Sequence, residues 1–149
     1  MSGRFFLDTN IFVYCFDESA PEKARRALDL ICRAVKTGKG IVSFQVVQEF
    51  FNVALKRFAS PMTTSEAQTY LNTVFRPLLV THSSNTLYAE ALRVKDRYHL
   101  SWYDSLIVTS AMETECGTLY TEDLQDGQQF GHVRITNPFV EERAEMRDK

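Results

Sequence analysis

Short apolar segments alternate along the chain with longer stretches in which apolar residues recur every three or four positions. The short segments predict five β-strands, at Arg4–Leu7, Gly40–Ser43, Leu79–Thr81, Thr118–Tyr120 and Val133–Ile135. Short strands that alternate with helices indicate a parallel sheet that is covered on both faces. We therefore expect a three-layer α/β fold, with a parallel five-stranded sheet flanked by helices.

The longer stretches predict helices between these strands. The first long helix starts at Pro21, after Ser19 or Ala20 as the cap, and ends at Gly38 and Gly40. The others cover Val46–Phe58 before Ser60-Pro61, a segment from Thr64 or Ser65 that Pro77 stops, Leu87–Tyr98, and about Trp102–Glu115. A further helix is expected from about Ile11. Residues 1–139 then form a single domain, and the charged tail at 140–149 is expected to fray.

Composition sets limits on the class of protein. The chain has 149 residues, of which 44% are hydrophobic and 24% charged, as expected for one soluble globular domain. No apolar run is long enough for a membrane span, and the N-terminus lacks a signal-peptide pattern. The three cysteines are widely spaced and contain no C-x-x-C pair, which favours a reduced cytoplasm. The net charge of −2 gives no basic footprint of a duplex-DNA binder, although a bound divalent cation would still allow nucleic acid to bind.

Acidic residues follow two of the predicted strands. Asp8 comes directly after the first strand, and Asp123 lies just past the fourth. Open α/β sheets bind ligands outside the carboxyl ends of their strands. Asn10 lies closer to the helix near Ile11 and is expected to cap it, which leaves Asp8 free. Asp126 precedes a glycine and fits a turn residue or a weaker accessory acid.

Two further acids lie on predicted helices. Glu49 falls beside the apolar stripe of its helix, so it is either a rim residue of a site or an ordinary surface glutamate. Asp104 shares a helical face with apolar residues, where an unpaired charge is costly. It also follows Ser101 in an S-x-x-D pattern that is typical of a capping box. A cap and a functional role are compatible, because a cap orients the carboxylate.

The acids Asp8, Glu49, Asp104 and Asp123 would together form an oxygen-only ligand set. Such a set selects hard cations such as Mg²⁺ or Mn²⁺ and fits poorly with structural zinc. The three histidines show no ligand spacing, and the six glycines form no phosphate-binding loop. Hard cations bridge to phosphate oxygens and generate hydroxide for in-line attack.

At this point the sequence resembles the PIN-domain ribonucleases, specifically the VapC-like toxins of type II prokaryotic toxin–antitoxin pairs, over roughly residues 4–139. Four short motifs carry the resemblance in the expected order: Phe6-Leu7-Asp8-Thr9-Asn10, Gln48-Glu49-Phe50, Leu100-Ser101-Trp102-Tyr103-Asp104-Ser105 and Leu119-Tyr120-Thr121-Glu122-Asp123-Leu124. Asn137-Pro138-Phe139 also resembles a branch of this family. The resemblance implies a PIN-like domain that cuts RNA with Mg²⁺ or Mn²⁺.

The resemblance also implies roles for individual residues and partners. The metal-binding acids would be Asp8, Glu49, Asp104 and a fourth that is Asp123 or, less favoured, Asp126. Asn10 and Thr121 would orient the acids or the attacking water. The family is usually dimeric, and a cognate antitoxin typically blocks the active site, often with a basic residue.

Two alternatives remain open. A phosphatase of the haloacid-dehalogenase type also places its nucleophilic Asp after the first strand, but it needs a second acid two residues later, where this chain has Asn10. The other alternative is a non-catalytic RNA- or protein-binding module on the same fold. The presence of acids in all four motifs argues against it.

Overall fold

The computed structural model describes residues 3–140, so the tail expected at 140–149 lies outside them except for Val140. One mixed sheet has the strand order β3-β2-β1-β4-β6-β5. Its strands are β1 (Phe5–Leu7), β2 (Gly40–Ser43), β3 (Leu79–Thr81), β4 (Thr118–Tyr120), β5 (Gln129–Phe130) and β6 (Val133–Thr136). All five predicted strands are confirmed, and they form the parallel part of the sheet.

The sheet differs from the expected five parallel strands by one short antiparallel strand at its edge. β5 pairs antiparallel with β6, with Phe130 opposite Val133. The two residues between them begin with Gly131 at φ +59°, a conformation that suits a tight hairpin turn. A strand of two residues leaves no periodic signal in the sequence, so the hairpin escaped prediction.

The helices are α1 (Thr9–Tyr14), α2 (Pro21–Thr37), α3 (Phe44–Ala54), α4 (Thr64–Tyr70), α5 (Arg76–Leu78), α6 (Asn85–Tyr98) and α7 (Trp102–Glu113). α3 ends four residues before the predicted end at Phe58. The segment after α4 continues as a π-helical stretch, Leu71–Phe75, into α5. Pro77 therefore does not stop the helical path, because it occupies the first turn of α5, where a proline is tolerated. In the described part of the chain, no helix has the length and apolar character needed to cross a membrane.

Helix α2 packs unusually close to the sheet. A Cβ added to Gly40, the first residue of β2, would lie 2.1 Å from the Cβ of Ala34 in α2. No side chain fits there, so a glycine is required by close approach. The left-handed Gly38, at φ +70°, ends α2 and lets the chain turn back into β2. Together the two glycines fix the position of α2 against the strands.

The core reaches the carboxyl edge of the sheet through an aromatic cluster. Phe50 in α3 is fully buried, and its ring lies 5.0 Å from the Tyr70 ring and 5.3 Å from the Phe75 ring. Truncating a buried phenylalanine to alanine typically costs about 3–5 kcal/mol. Because Phe50 adjoins Glu49, the same packing that stabilises the fold holds the backbone of this predicted site residue.

Candidate active site

Asp8 and Thr121 lie side by side at the carboxyl edge of the sheet. Their strands pair in parallel with Leu7 opposite Tyr120, so the next residue of each strand falls at the same level. The Thr121 hydroxyl donates to Oδ2 of Asp8 at 2.8 Å, and the Thr9 backbone N–H donates to Oδ1 at 2.7 Å. The carboxylate of Asp8 is therefore buried and held at both oxygens.

Asp8, not Asn10, is the N-cap of α1. The helix begins at Thr9, and Asp8 has the extended backbone of a cap residue, with φ −75° and ψ 165°. The prediction that Asn10 caps the helix and leaves Asp8 free was wrong, because the helix starts earlier than the apolar pattern indicated. Capping fixes the Asp8 carboxylate at the sheet edge, which is compatible with the site role expected for it.

Glu49 lies against the start of α1. Its Oε2 accepts a hydrogen bond from the Thr9 hydroxyl at 2.9 Å, and its Oε1 accepts one from Nε2 of Gln45 at 2.7 Å. Gln45 also donates to the carbonyl of Tyr103 at 3.3 Å, one residue before Asp104. Glu49 is half-buried, as its rim position predicted. These contacts connect α3 to both α1 and α7.

Asp104 is the third residue of α7. Its backbone N–H donates to the Ser101 hydroxyl at 3.1 Å, so the predicted helix cap forms through the Asp104 backbone. The half-buried side chain contributes a negative charge that raises the pKa of Asp123. The cap thus sets the start of the helix and brings Asp104 within electrostatic range of the acid that follows β4.

Asp123 joins the same group of acids. Its backbone N–H donates to the Thr121 hydroxyl at 3.1 Å, which ties it to the residue that also contacts Asp8. The residue as a whole is exposed, yet partial desolvation of its carboxyl raises the pKa above 3.8. The charges of Asp104, Glu122 and Glu49 raise it further. Repulsion between carboxylates therefore acts across this edge of the sheet.

Asp126 and Glu122 have other partners. Oδ1 of Asp126 accepts a hydrogen bond from the Asn137 backbone N–H at 2.8 Å, which fits the turn role considered for it. Glu122 accepts a hydrogen bond from the Tyr14 hydroxyl and pairs with Nζ of Lys23 at 3.3 Å. Of the two candidates for the fourth acid, the geometry favours Asp123.

Asn10 presents an unpaired amide beside this group. Both its Nδ2 and its Oδ1 are buried, and neither has a hydrogen-bond partner among the described residues. Its amide lies near enough to lower the pKa of Asp123, although the two side chains do not meet ordinary hydrogen-bond geometry. Leaving a buried amide unpaired typically costs about 1–3 kcal/mol. Such a group is available to a ligand or to a water molecule in the pocket.

The Asp8 carboxyl has an unusual protonation equilibrium. Burial raises its pKa from 3.8 to about 7, and the charges of Asp123 and Glu49 add to the increase. The hydrogen bonds from Thr121 and Thr9 oppose it by stabilising the ionised form. A nearby cation would favour the ionised carboxylate strongly. Perturbed carboxyl groups of this kind cluster at functional sites.

We call the group formed by Asp8, Glu49, Asp104 and Asp123 the acidic pocket, and the chemistry of its donors suits a hard divalent cation. Carboxylate oxygens, together with the unpaired amide oxygen of Asn10, are the ligands that Mg²⁺ and Mn²⁺ prefer. Within residues 3–140, however, no three Asp, Glu, His or Cys side chains are arranged to hold one ion. The acids gather at one edge of the sheet, but they do not surround a shared centre.

Sequence reasoning missed two residues that position the acids, Thr9 and Gln45. Thr9 donates to Glu49 from forty residues away in sequence, and no local pattern predicts this contact. Gln45 left a usable signal, since it lies four residues before Glu49 on the same helix, where side chains meet.

Comparison with known proteins assigns the chain to a family. The sequence profile of the PIN domain matches residues 5–128, which is most of the chain. The chain therefore belongs to the PIN domain family. No curated protein matches it in sequence.

Several solved structures share the fold at low sequence identity. A toxin–antitoxin complex from Klebsiella pneumoniae has a TM-score of 0.63 at 18% identity, covering 89% of this chain and 96% of that one. VapC20 from Mycobacterium tuberculosis, described as a sarcin-ricin loop cleaving toxin, has a TM-score of 0.62 at 20% identity, covering 87% of this chain and 98% of that one. VapBC2 from Rickettsia felis, bound to a DNA fragment from its promoter, has a TM-score of 0.61 at 19% identity, covering 89% of this chain and 97% of that one.

Proposed function

We propose that this protein is a divalent-metal-dependent endoribonuclease and the toxin of a toxin–antitoxin pair. The observation that carries the proposal is that four acids from distant parts of the chain gather at one edge of the sheet, among them a buried Asp8 whose pKa is raised to about 7. Membership of the PIN family supports this reading over the phosphatase alternative.

Each residue has a defined part in the proposed site. Asp8 and Asp104 would be the primary metal ligands, and Glu49 and Asp123 would complete the shell directly or through water. When bound, Mg²⁺ or Mn²⁺ would polarise the phosphate and lower the pKa of the attacking water. Thr121 and the Thr9 backbone orient the Asp8 carboxylate. The unpaired Asn10 amide offers hydrogen bonds to the attacking water or to the substrate.

The proposed substrate and partner follow from similar proteins. VapC20 is described as cleaving the sarcin-ricin loop, and two of the similar structures contain a toxin with its antitoxin. We propose RNA as the substrate here and a small antitoxin protein as the partner. The dimeric state, the cytoplasmic location and the domain limits of 1–139 stay predictions.

Cleavage of RNA by purified protein tests the proposal. Wild-type protein is incubated with labelled RNA in Mg²⁺, in Mn²⁺ and in chelator, and the new ends are mapped. Asp8→Asn tests the buried acid, and Asp96→Asn, an exposed acid on α6, is the matched control for loss of one charge. We expect metal-dependent ends with wild type and Asp96→Asn and none with Asp8→Asn.

The same experiment separates the alternatives. Ends that form equally with Asp8→Asn would come from a contaminant and would reject the nuclease proposal. RNA binding without cleavage in any metal would point to a non-catalytic module. A phosphorylated Asp8 trapped during turnover of a phosphate ester would instead revive the phosphatase.

A further inference from the structure

Positive charge is concentrated on and just after helix α2. Residues 21–39 contain six Lys or Arg and two Asp or Glu, a net charge of +4, whereas the whole chain has a net charge of −2. The remaining residues therefore have a net charge of −6. A strongly basic segment in an acidic protein favours contact with a polyanion.

Two neighbouring cavities, each of about 420 Å³, lie along this basic segment. Arg33 and Tyr120 line both of them, so the two cavities form one continuous surface. We call this surface the basic groove, and its cationic residues are Arg4, Arg25, Arg26, Arg33 and Lys39. Asp29 is the acid that also lines it.

Arg33 is held in place at the centre of the basic groove. Its Nη2 donates to the Tyr120 hydroxyl at 3.0 Å, and its guanidinium lies 4.6 Å from the centroid of the Phe5 ring. A guanidinium fixed by an aromatic face loses little freedom when it binds a phosphate, and its planar N–H groups suit two phosphate oxygens at once. Arg26 lies seven residues earlier on the same helical face, about 10 Å away along the axis.

One end of the basic groove, near Arg26 and Pro138, lies toward the acidic pocket, and the other reaches the amino edge of the sheet at Arg4 and Lys39. Tyr120 is the last residue of β4, and the following residue, Thr121, donates to Asp8. In addition, Lys23 in the first turns of α2 pairs with Glu122, the neighbour of Asp123. A strand with one phosphate at the acids can thus continue over α2 toward the amino edge of the sheet.

We propose that the basic groove binds the phosphates of the RNA strand that flank the cleavage site. This inference rests on the proposed function, since it names where that substrate lies. The acidic pocket by itself repels a polyanion, so the groove supplies attraction that a single metal site lacks. The contacts are to backbone phosphates, and they give affinity and register without base specificity.

Binding of RNA at several salt concentrations tests the groove. The probe is a fluorescein-labelled 20-nucleotide single-stranded RNA, followed by anisotropy with Asp8→Asn protein in Mg²⁺. Into this background we introduce Arg26→Gln with Arg33→Gln. The matched control, Arg93→Gln with Arg97→Gln, removes the same charge from exposed positions on α6. Because each phosphate contact on a single strand contributes a slope of about −0.7 in log K against log salt, the groove variant should lower the slope by about 1.4.

We expect the groove variant to bind about tenfold more weakly at low salt and the control to bind as the parent does. Arg33 also packs on the sheet, so Arg25→Gln with Lys39→Gln, both exposed, provides a second groove variant if the first fails to fold. Groove variants that are folded and match the control in affinity and slope would overturn the proposal and assign the surface to another anion, such as an acidic protein segment. Loss of binding in the groove variants, with no cleavage by the wild type, would instead retain the groove and reject the nuclease.

Discussion

The acidic pocket has two halves that differ in how firmly their carboxylates are held. On the side of Asp8 and Glu49, all four carboxylate oxygens accept hydrogen bonds from Thr9, Gln45 or Thr121, at 2.7–2.9 Å. On the side of Asp104 and Asp123, the hydrogen bonds that fix the residues run through their backbone N–H groups. The first half fixes side chains, and the second fixes only the main chain.

This difference would separate two tasks if the pocket binds a metal as proposed. The half formed by Asp8 and Glu49, which we call the held half, fixes the positions of its two carboxylates. Burial there disfavours the ionised form of Asp8 and raises its pKa to about 7. In the other half, no side-chain hydrogen bond of ordinary geometry holds a carboxylate among the described residues, although the Asn10 amide lies near Asp123. That explains how the acids gather while no three of them, within the described residues, surround one ion. A cation would complete the site mainly by drawing in Asp104 and Asp123.

The largest expected effect is on catalysis, and it should differ between the halves. Asp8→Asn removes a buried carboxylate that hydrogen bonds hold in one orientation, so we expect the rate of RNA cleavage to fall by about 10³-fold. Asp123→Asn removes a more exposed acid, whose place on the proposed metal water can take, and we expect a loss of about 10- to 100-fold. Single-turnover cleavage at saturating Mg²⁺ measures both. Equal losses would mean that the two halves do not differ in function.

The stability of the metal-free protein should fall as the pH rises. The Asp8 pKa is about 7 in the folded chain and 3.8 without the fold, so the folded state holds its proton longer. The contribution of Asp8 to stability is then greatest below pH 4, declines as the pH approaches 7 and levels off above it. The decline is on the order of 4 kcal/mol. Urea unfolding in chelator, compared between wild type and Asp8→Asn at each pH, isolates this contribution.

Divalent cation should reverse that trend. Because Mg²⁺ or Mn²⁺ binds the ionised carboxylate, it should stabilise the wild type most at pH 8 and have little effect on Asp8→Asn. A difference between wild type and Asp8→Asn that stays constant from pH 4 to pH 8 in chelator would show that Asp8 is not the strained acid.

A smaller effect is expected when one donor is removed from the held half. Thr121→Val keeps the shape but deletes the hydroxyl that donates to Asp8 and accepts from Asp123. We expect a loss of about 1–3 kcal/mol in the free energy of unfolding and a further rise in the Asp8 pKa. Metal affinity, measured by calorimetry, should fall about tenfold.

Thr109→Val is the matched control for this substitution. Thr109 is fully buried in α7, and its hydroxyl has no hydrogen-bond partner among the described residues. Replacing an unpaired buried hydroxyl by a methyl group should leave stability unchanged or raise it. Equal destabilisation by both substitutions would show that burial, rather than the bond to Asp8, determines the cost.

The layout of the sheet could be predicted from the sequence because it depends on local patterns. Runs such as Gly40–Ser43 and Thr118–Tyr120 are apolar enough to mark buried strands, and their carboxyl ends located Asp8 and Asp123. The short strand Gln129–Phe130 escaped prediction because it depends on the hairpin turn and on pairing with β6.

The support of the acids could not be predicted in the same way. The bond from Thr9 to Glu49 joins α1 to α3 and exists only once both pack on the sheet. The start of α1 at Thr9 was likewise hidden, since Asp8 and Asn10 are both good caps and the choice depends on where β1 ends. Sequence thus indicated which acids gather at the sheet edge, and tertiary packing decides which of their carboxylates accept hydrogen bonds.

The smallest expected effect concerns the half formed by Asp104 and Asp123. It is tested by a substitution at Glu122, which is next to Asp123. The negative charge of Glu122 raises the pKa of Asp123, so Glu122→Gln should lower that pKa toward 3.8. Glutamine keeps an oxygen that can accept the Tyr14 hydroxyl, so the local contact persists while the charge is lost. Carbon-13 NMR titration of the Asp123 carboxyl in metal-free protein measures the change. Glu113→Gln, at the far end of α7, removes the same charge from an exposed position and should leave Asp123 unaffected. An equal fall in the Asp123 pKa in both variants would mean that this pKa depends on the net charge of the protein alone. The electrostatic difference between the two halves of the pocket would then be wrong.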